Sequence, residues 1–305
     1  MYILLWMREK RTPPPQSVAT MSSKSTPHNG GENHVGRRCI IIGASYGIGR
    51  ATADILSSRG AHVVYCARSS DKLQEAIKKK SDCHAVVMDA SDPESVRKGM
   101  VNAIAKLNGG VDCVIYCPGY FGPDSYGSFE QLFDSGDYDS GWEGSINIHF
   151  KGMMNCFRHT RKYLIASERG GVFIGLSSIA GSLGGHSNAA IYAICKSAVD
   201  MAIKQLALEY AELGVRVCSV APGLINTPAI HSLGSEEQTK RFLKDVGDAH
   251  AMKRHAEPSE CGEFLAFLVS ERASFMTGGP FFVDGGAMLR TSLGDTIKNY
   301  FERKK

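Results

Sequence analysis

A tyrosine and a lysine lie four residues apart in the segment YAICK, at Tyr192 and Lys196. Residues with this spacing share one face of an α-helix. A free tyrosine titrates at about pH 10, too high for proton transfer at neutral pH, but a neighbouring ammonium group favours the phenolate and lowers the pKa. The pair therefore predicts a general acid/base acting on a carbonyl or alcohol oxygen. Because the same spacing arises by chance in many helices, the pattern alone is a weak signal.

A serine-rich segment, GLSSIAG, lies shortly before this helix, at the end of an apolar run. Open α/β sheets bind their ligands at the carboxyl ends of parallel strands. Ser178 is therefore predicted to hydrogen-bond the reacting oxygen and to fix its position. Ser177, its neighbour, is kept as the alternative.

The secondary-structure elements that must position these side chains alternate regularly along the chain. From residue 38 onward, short β-branched runs alternate seven times with helical segments. This order predicts an α/β fold, a doubly wound parallel sheet of about seven strands with helices on both faces. We expect a single domain over 37–292, preceded by a disordered extension at 1–36 rich in Pro, Ser, Asn and Gly, and followed by a tail at 293–305.

A glycine-rich turn, G-x-x-x-G-x-G, joins the first strand to the first helix through Gly43, Gly47 and Gly49. Glycine permits a tight turn and close approach of a pyrophosphate, which then meets the positive end of the helix. The turn predicts a dinucleotide site, and the alternative is a turn that needs glycine only for packing. About 20 residues later, a cofactor with a free ribose 2′-hydroxyl usually meets an acid. Here the segment AHVVYCARSS has none and offers Arg68 and Ser69 instead.

The guanidinium of Arg68 suits a 2′-phosphate, so the sequence favours NADP(H) over NAD(H). A solvated surface arginine is the alternative.

Two long connections, about 120–144 and 224–252, are expected to cover the pocket, and a long helix is predicted over about 142–166. The first connection carries six acids and no Lys or Arg, so it is interpreted either as a lid or as a solvated loop.

Together these motifs resemble the short-chain dehydrogenase/reductase family, with further similarity in APGLINTP and in the segment from Arg254 to Gly286. The resemblance covers essentially all of 38–287. It implies a Rossmann-like fold and an oxidoreductase that interconverts a carbonyl and a secondary alcohol. Tyr192 would be the proton donor or acceptor, Lys196 would also contact the nicotinamide ribose, and Ser178 would orient the substrate. Asn147 would hold a proton-relay water.

The resemblance also implies a set of cofactor contacts at the strand ends. They are Gly43, Ser45, Tyr46, Gly47, Ile48, Gly49, Arg68, Ser69, Asp89, Ala90, Cys117, Gly119, Tyr192, Lys196, Pro222, Gly223, Ile225 and Thr227.

The sequence departs from the family pattern at three places. Ile42 replaces a threonine before the first glycine, and Tyr116-Cys117-Pro118-Gly119 replaces the usual N-N-A-G. Tyr192 follows Ser178 by 14 residues, one more than is common.

The amino-acid composition argues against several classes of binding partner. The net charge of +4 comes from scattered basic residues, which argues against nucleic-acid binding. Nine irregularly spaced cysteines are expected to be reduced core residues, with no metal site. No apolar stretch reaches the length of a membrane span. A cytoplasmic location is expected, with organelle targeting by the extension left open, and loop histidines such as His231, His250 and His255 are expected at the surface.

The family resemblance implies a homotetramer or dimer that acts on a small carbonyl or alcohol. Two alternatives remain at this point. One is a 3-oxoacyl-[acyl-carrier-protein] reductase, and the other is a non-catalytic NADP(H)-binding sensor or scaffold.

Overall fold

The computed structural model describes residues 34–120, 128–134, 136, 138–183, 189–232 and 234–289. Within them, seven strands form one parallel sheet in the order β3-β2-β1-β4-β5-β6-β7. The predicted doubly wound α/β fold is thus confirmed. Most of the predicted extension, the whole tail and residues 121–127 of the acidic connection lie outside the described residues.

The strands coincide with the apolar runs of the sequence. They are β1 (Arg38–Ile42), β2 (His62–Ala67), β3 (Cys83–Val87), β4 (Cys113–Tyr116), β5 (Gly171–Leu176), β6 (Val215–Pro222) and β7 (Gly278–Val283). The helices are α1 (Gly47–Ser58), α2 (Ser70–Ile77), α3 (Pro93–Lys106), α4 (Phe129–Asp134), α5 (Tyr138–Ile146), α6 (Gly152–Ile165), α7 (Ala190–Tyr210), α8 (Pro228–His231), α9 (Glu236–Ala249) and α10 (Pro258–Val269).

Alternation along each strand divides the interior into two cores, one on each face of the sheet. In β1, Ile40 and Ile42 enter one core, while Cys39 and Ile41 enter the other. All four side chains are buried. Since burying one large aliphatic side chain contributes roughly 1.5–3 kcal/mol, strands apolar on both faces hold the sheet between its two helical layers.

The strand order places a crevice at the carboxyl edge, where chain connections from β1 and from β4 leave toward opposite ends of the sheet. Ligands of open α/β sheets bind at this switch point. The first turn after β1, the segment after β4 and the ends of β5 and β6 therefore meet at one site.

The structure corrects two local expectations near this edge. The connection over 120–144 is not simply a loop, because its described part contains α4 and α5. Leu132 of this part packs with Ile191 and Cys195 of α7. The single helix predicted over about 142–166 is instead α5 and α6 joined by a π-helical turn at Asn147–Lys151. The Tyr116 hydroxyl donates a hydrogen bond to the Ile148 carbonyl in this turn.

Candidate active site

The glycine turn after β1 has the geometry of a phosphate cradle. Gly43 and Gly47 have positive φ angles of 80° and 63°. A Cβ on Gly49 would lie 2.4 Å from the Gly43 carbonyl oxygen, so the turn is too tight for any side chain there. Tyr46 caps α1 without a side-chain hydrogen bond to it. The first N–H groups of α1 therefore remain available to an anion.

Two other predicted segments pack against this turn. A Cβ on Gly43 would lie 2.9 Å from the Pro118 nitrogen, and one on Gly49 would lie 3.1 Å from the Cys117 Cβ. A Cβ on Gly47 would lie 3.4 Å from the Thr227 Cγ2. The ends of β4 and β6 thus border the cradle, which is what a dinucleotide lying across the sheet edge requires.

Arg68 follows β2 and is exposed to solvent, near the end of β3. Burial raises the pKa of Asp89, but hydrogen bonds from Ser91 and the charge of Arg68 outweigh it, and the net pKa lies below its usual value. Asp89 accepts from the backbone N–H of Ser91 at 2.9 Å and from its hydroxyl at 2.6 Å. A guanidinium and a carboxylate thus share the edge where the adenosine end of a dinucleotide would lie.

The remaining predicted cofactor contacts lie on the same elements. Ser45, Tyr46 and Ile48 belong to the glycine turn and the start of α1, Ser69 precedes α2, and Ala90 follows β3. Gly119 follows β4, Pro222 ends β6, and Gly223 and Ile225 follow it.

Ser178 and Tyr192 meet at the end of β5. The Tyr192 side chain is buried and hydrogen-bonded to the Ser178 side chain. The Ser178 hydroxyl also accepts from the backbone N–H of Ala180 at 3.2 Å. Ser177 donates to the carbonyl of Lys196 at 3.3 Å and is buried. The spacing of 14 residues therefore does not separate Ser178 from the tyrosine, and Ser177 serves the backbone of α7 instead.

Burial governs the proton affinities of the pair on α7. It raises the pKa of Tyr192 to about 12, while the hydrogen bond with Ser178 acts to lower it. It lowers the pKa of Lys196 to about 8, opposed by the charge of Asp200 one turn farther along. The expected depression of the tyrosine pKa by Lys196 is thus absent from this geometry. At neutral pH the site holds a protonated phenol and a charged amine.

The π-helical turn brings an unpredicted side chain to the pair. The His149 ring lies edge-on to the Tyr192 ring, with 5.2 Å between centroids. His149 is buried, whereas Asn147 is half-buried and its side chain forms no hydrogen bond within the described residues. Residues two apart point to opposite sides of a helix, so a turn that aims His149 at Tyr192 aims Asn147 elsewhere.

His250, which was expected at the surface, is also buried. The His250 Nε2 accepts the backbone N–H of Leu224 at 3.1 Å, and its Nδ1 lies 2.8 Å from the Val246 carbonyl oxygen. His250 thereby fixes the segment after β6 to α9. No sequence pattern indicates this role, because one partner, the Leu224 backbone, lies 26 residues away in the chain.

Comparison with known proteins settles the family. The sequence profile of a family described as "Enoyl-(Acyl carrier protein) reductase" matches residues 43–288. The oxidoreductase UcpA of Escherichia coli is 32% identical over 83% of this chain and 95% of its own length. The chain belongs to the short-chain dehydrogenase/reductase family.

Other members of the short-chain dehydrogenase/reductase family agree in sequence and in structure. The cis-4-hydroxycyclohexanecarboxylate dehydrogenase of Sinomonas cyclohexanicum is 32% identical over 84% of this chain and 98% of its own length. The aldohexose dehydrogenase of Thermoplasma acidophilum superposes with a TM-score of 0.73 at 26% identity, covering 85% of this chain and 96% of that one. The protein is therefore an oxidoreductase of this family, a class that uses a nicotinamide cofactor.

In the part of the chain that the structure describes, no helix combines the length and apolar character needed to cross a membrane. Nor do three or more His, Cys, Asp or Glu side chains there cluster as they would around a metal ion.

Proposed function

We propose that the protein is an NADP(H)-dependent oxidoreductase that interconverts a small carbonyl compound and a secondary alcohol, with Tyr192 as the general acid/base. The observation that carries the proposal is the convergence of Ser178, Tyr192 and Lys196 at the carboxyl edge of the sheet, where the charge of Lys196 reaches Cys117 beside the glycine cradle. When bound, the nicotinamide cofactor supplies or accepts a hydride.

Each of the three side chains has a separate role in the reaction. Tyr192, protonated at neutral pH, donates its proton to the substrate oxygen in reduction and takes it back in oxidation. Ser178, already hydrogen-bonded to Tyr192, orients the same oxygen. Lys196, which does not lower the pKa of Tyr192 in the cofactor-free protein, is assigned to hold the ribose next to the nicotinamide, as the family resemblance implies.

Selection of the cofactor is assigned to the end of β2. Arg68 is the cation at the position where an acidic residue would hold a ribose 2′-hydroxyl. Its exposure leaves the guanidinium free to bind a 2′-phosphate, and Asp89, just after the adjoining strand β3, feels its charge. We therefore propose NADP(H) in preference to NAD(H).

The test is a survey of NADPH and NADP⁺ turnover with simple ketones, quinones, steroid-like ketones and secondary alcohols. A productive substrate is expected, with turnover lost in Tyr192→Phe. Tight NADPH binding without turnover of any compound would instead favour a cofactor sensor or scaffold.

A second candidate is reduction of a 3-oxoacyl group on acyl carrier protein. The matching family profile is described by an acyl-carrier-protein substrate, and Arg158, Arg161 and Lys162 form an exposed basic stretch on α6. An acidic carrier protein would be attracted to such a surface. Acetoacetyl-acyl carrier protein turned over with a kcat/KM far above that of acetoacetyl-coenzyme A would select this function.

We also propose that the protein acts as a cytoplasmic homotetramer or dimer. Ile194, Met201 and Leu208 of α7 are apolar and exposed in the single chain, and covering such side chains favours association. Sedimentation equilibrium distinguishes the two assemblies from a monomer.

A further inference from the structure

His149 is a buried polar residue beside the proposed acid/base for which the roles assigned above have no use. Its side chain is 1% exposed. It lies in the π-helical turn between α5 and α6, held there in part by the hydrogen bond from Tyr116 to Ile148. Such turns are rare and frequently mark functional sites. The imidazole packs edge-to-face with the Tyr192 ring.

The two ring nitrogens of His149 have different surroundings. Nε2 lies 3.3 Å from the backbone nitrogen of Tyr120 and 3.2 Å from the carbonyl oxygen of the same residue. Nε2 therefore finds a donor if it is bare and an acceptor if it carries the proton. Nδ1 is buried and has no hydrogen-bond partner among the described residues. A buried nitrogen without a partner is costly, and it is normally satisfied by water or ligand.

Burial, together with the positive charge of Lys196, keeps the His149 imidazole neutral. Burial lowers its pKa well below the ordinary value, and the positive charge of Lys196 lowers it further, while the Tyr120 backbone acts weakly in the other direction. The titratable groups that face it are Tyr192 and Lys196 from α7. Since the first is uncharged and the second cationic at neutral pH, nothing in the pair favours an imidazolium.

We propose that His149 is a positioning residue of the active site, whose Nδ1 hydrogen-bonds a water or substrate oxygen next to Tyr192. Because Nε2 is satisfied in either tautomer, Nδ1 can donate or accept without charging the ring. It can therefore serve the site in both directions of the reaction. This inference rests on the proposed function and transfers to His149 the role that the family resemblance implied for Asn147.

Three variants test the role in turnover. An asparagine amide reaches about as far from the backbone as Nδ1 and can also donate or accept. We expect His149→Leu to lower kcat about 10–100-fold, the worth of one strong hydrogen bond. His149→Asn should keep kcat within about five-fold of the wild type by the same reasoning, and Asn147→Ala within about three-fold. A His149→Leu enzyme within three-fold of the wild type would overturn the inference, as would an equal loss in Asn147→Ala.

A readout that needs no turnover is ¹⁵N NMR of histidine-labelled full-length protein, with His149→Asn used for assignment. The two nitrogens of His149 are expected to show averaged, neutral-imidazole shifts from pH 5.5 to 9, as rapid exchange between tautomers requires. A single fixed tautomer, or protonation near the ordinary histidine pKa, would overturn the inference. An active Tyr192→Phe enzyme would defeat the proposed function while leaving this spectrum unchanged. If Tyr192→Phe loses turnover as expected while His149→Leu stays active, only the role of His149 is contradicted.

Discussion

The Lys196 ammonium lies over the face of the Tyr192 ring, with Nζ 5.6 Å from the ring centroid. Its position is set by a hydrogen bond of 2.8 Å to the carbonyl of Leu176, the last residue of β5. The amine therefore links α7 to the end of β5, just before the serine segment. In this arrangement burial raises the pKa of the phenol, and the hydrogen bond with Ser178 offsets only part of that rise.

The first prediction concerns ionisation of Tyr192 in the cofactor-free protein. Ultraviolet titration of the phenolate, taken as the difference between wild type and Tyr192→Phe, should show no Tyr192 signal below about pH 11. Adding NADP⁺ should move the signal to lower pH, because the cationic nicotinamide ring adds a positive charge. A phenolate signal below pH 9 without cofactor would contradict the burial argument.

The second prediction concerns the cost of burying Lys196. Its folded pKa of about 8 lies below the ordinary 10.5, so the unfolded chain binds this proton more tightly. The burial cost is therefore fully present below pH 8 and is released as the pH rises toward 10.5. The difference between the two pKa values corresponds to roughly 3 kcal/mol.

As the pH rises from 7 to 10, the free energy of unfolding of the wild type should accordingly increase by about 1–3 kcal/mol relative to that of a Lys196→Met variant, measured by urea unfolding. Lys204→Met, at an exposed position of the same helix, serves as the control and should show no such trend. Parallel pH dependence of wild type and Lys196→Met would contradict a depressed Lys196 pKa.

The third prediction concerns cofactor choice. Arg68→Asp should weaken NADPH binding about 10–100-fold, by loss of charge-assisted hydrogen bonds to the 2′-phosphate, and should leave NADH binding unchanged or improved. Fluorescence titration with both cofactors measures the ratio. Arg97→Asp on α3 makes the same charge change elsewhere and should leave the ratio unaltered. An undiminished NADPH preference in Arg68→Asp would remove this residue from the cofactor site.

The fourth prediction concerns the glycine cradle. Gly49→Ala places a methyl group 2.4 Å from the Gly43 carbonyl oxygen, so the turn must shift. Loss of cofactor binding and a decrease in stability of about 1–3 kcal/mol are expected. Gly136→Ala, where a Cβ meets nothing within 4 Å, is the matched control. Equal cofactor affinity in the two variants would show that the turn does not hold phosphate.

Sequence patterns predicted the sheet and the Ser178–Tyr192–Lys196 cluster because both depend on local spacing. Seven apolar runs define the strands. Ser178 lies just after the end of β5, and Tyr192 lies near the start of α7. The position of His149 was not predictable in the same way. It depends on a π-helical turn whose Ile148 carbonyl is engaged by Tyr116, a tertiary contact that shifts every helical face after it. The burial of His250 likewise depends on a backbone partner, Leu224, from the segment after β6.

The proton-transfer role of Tyr192 is tested most directly by comparing single-turnover reduction in wild type and Tyr192→Phe, each saturated with NADPH and the best substrate of the survey. The phenylalanine ring preserves the packing while removing the proton. The account predicts a rate about 10²–10⁴-fold lower with NADPH affinity essentially unchanged. A Tyr192→Phe rate within a few-fold of the wild type would contradict it.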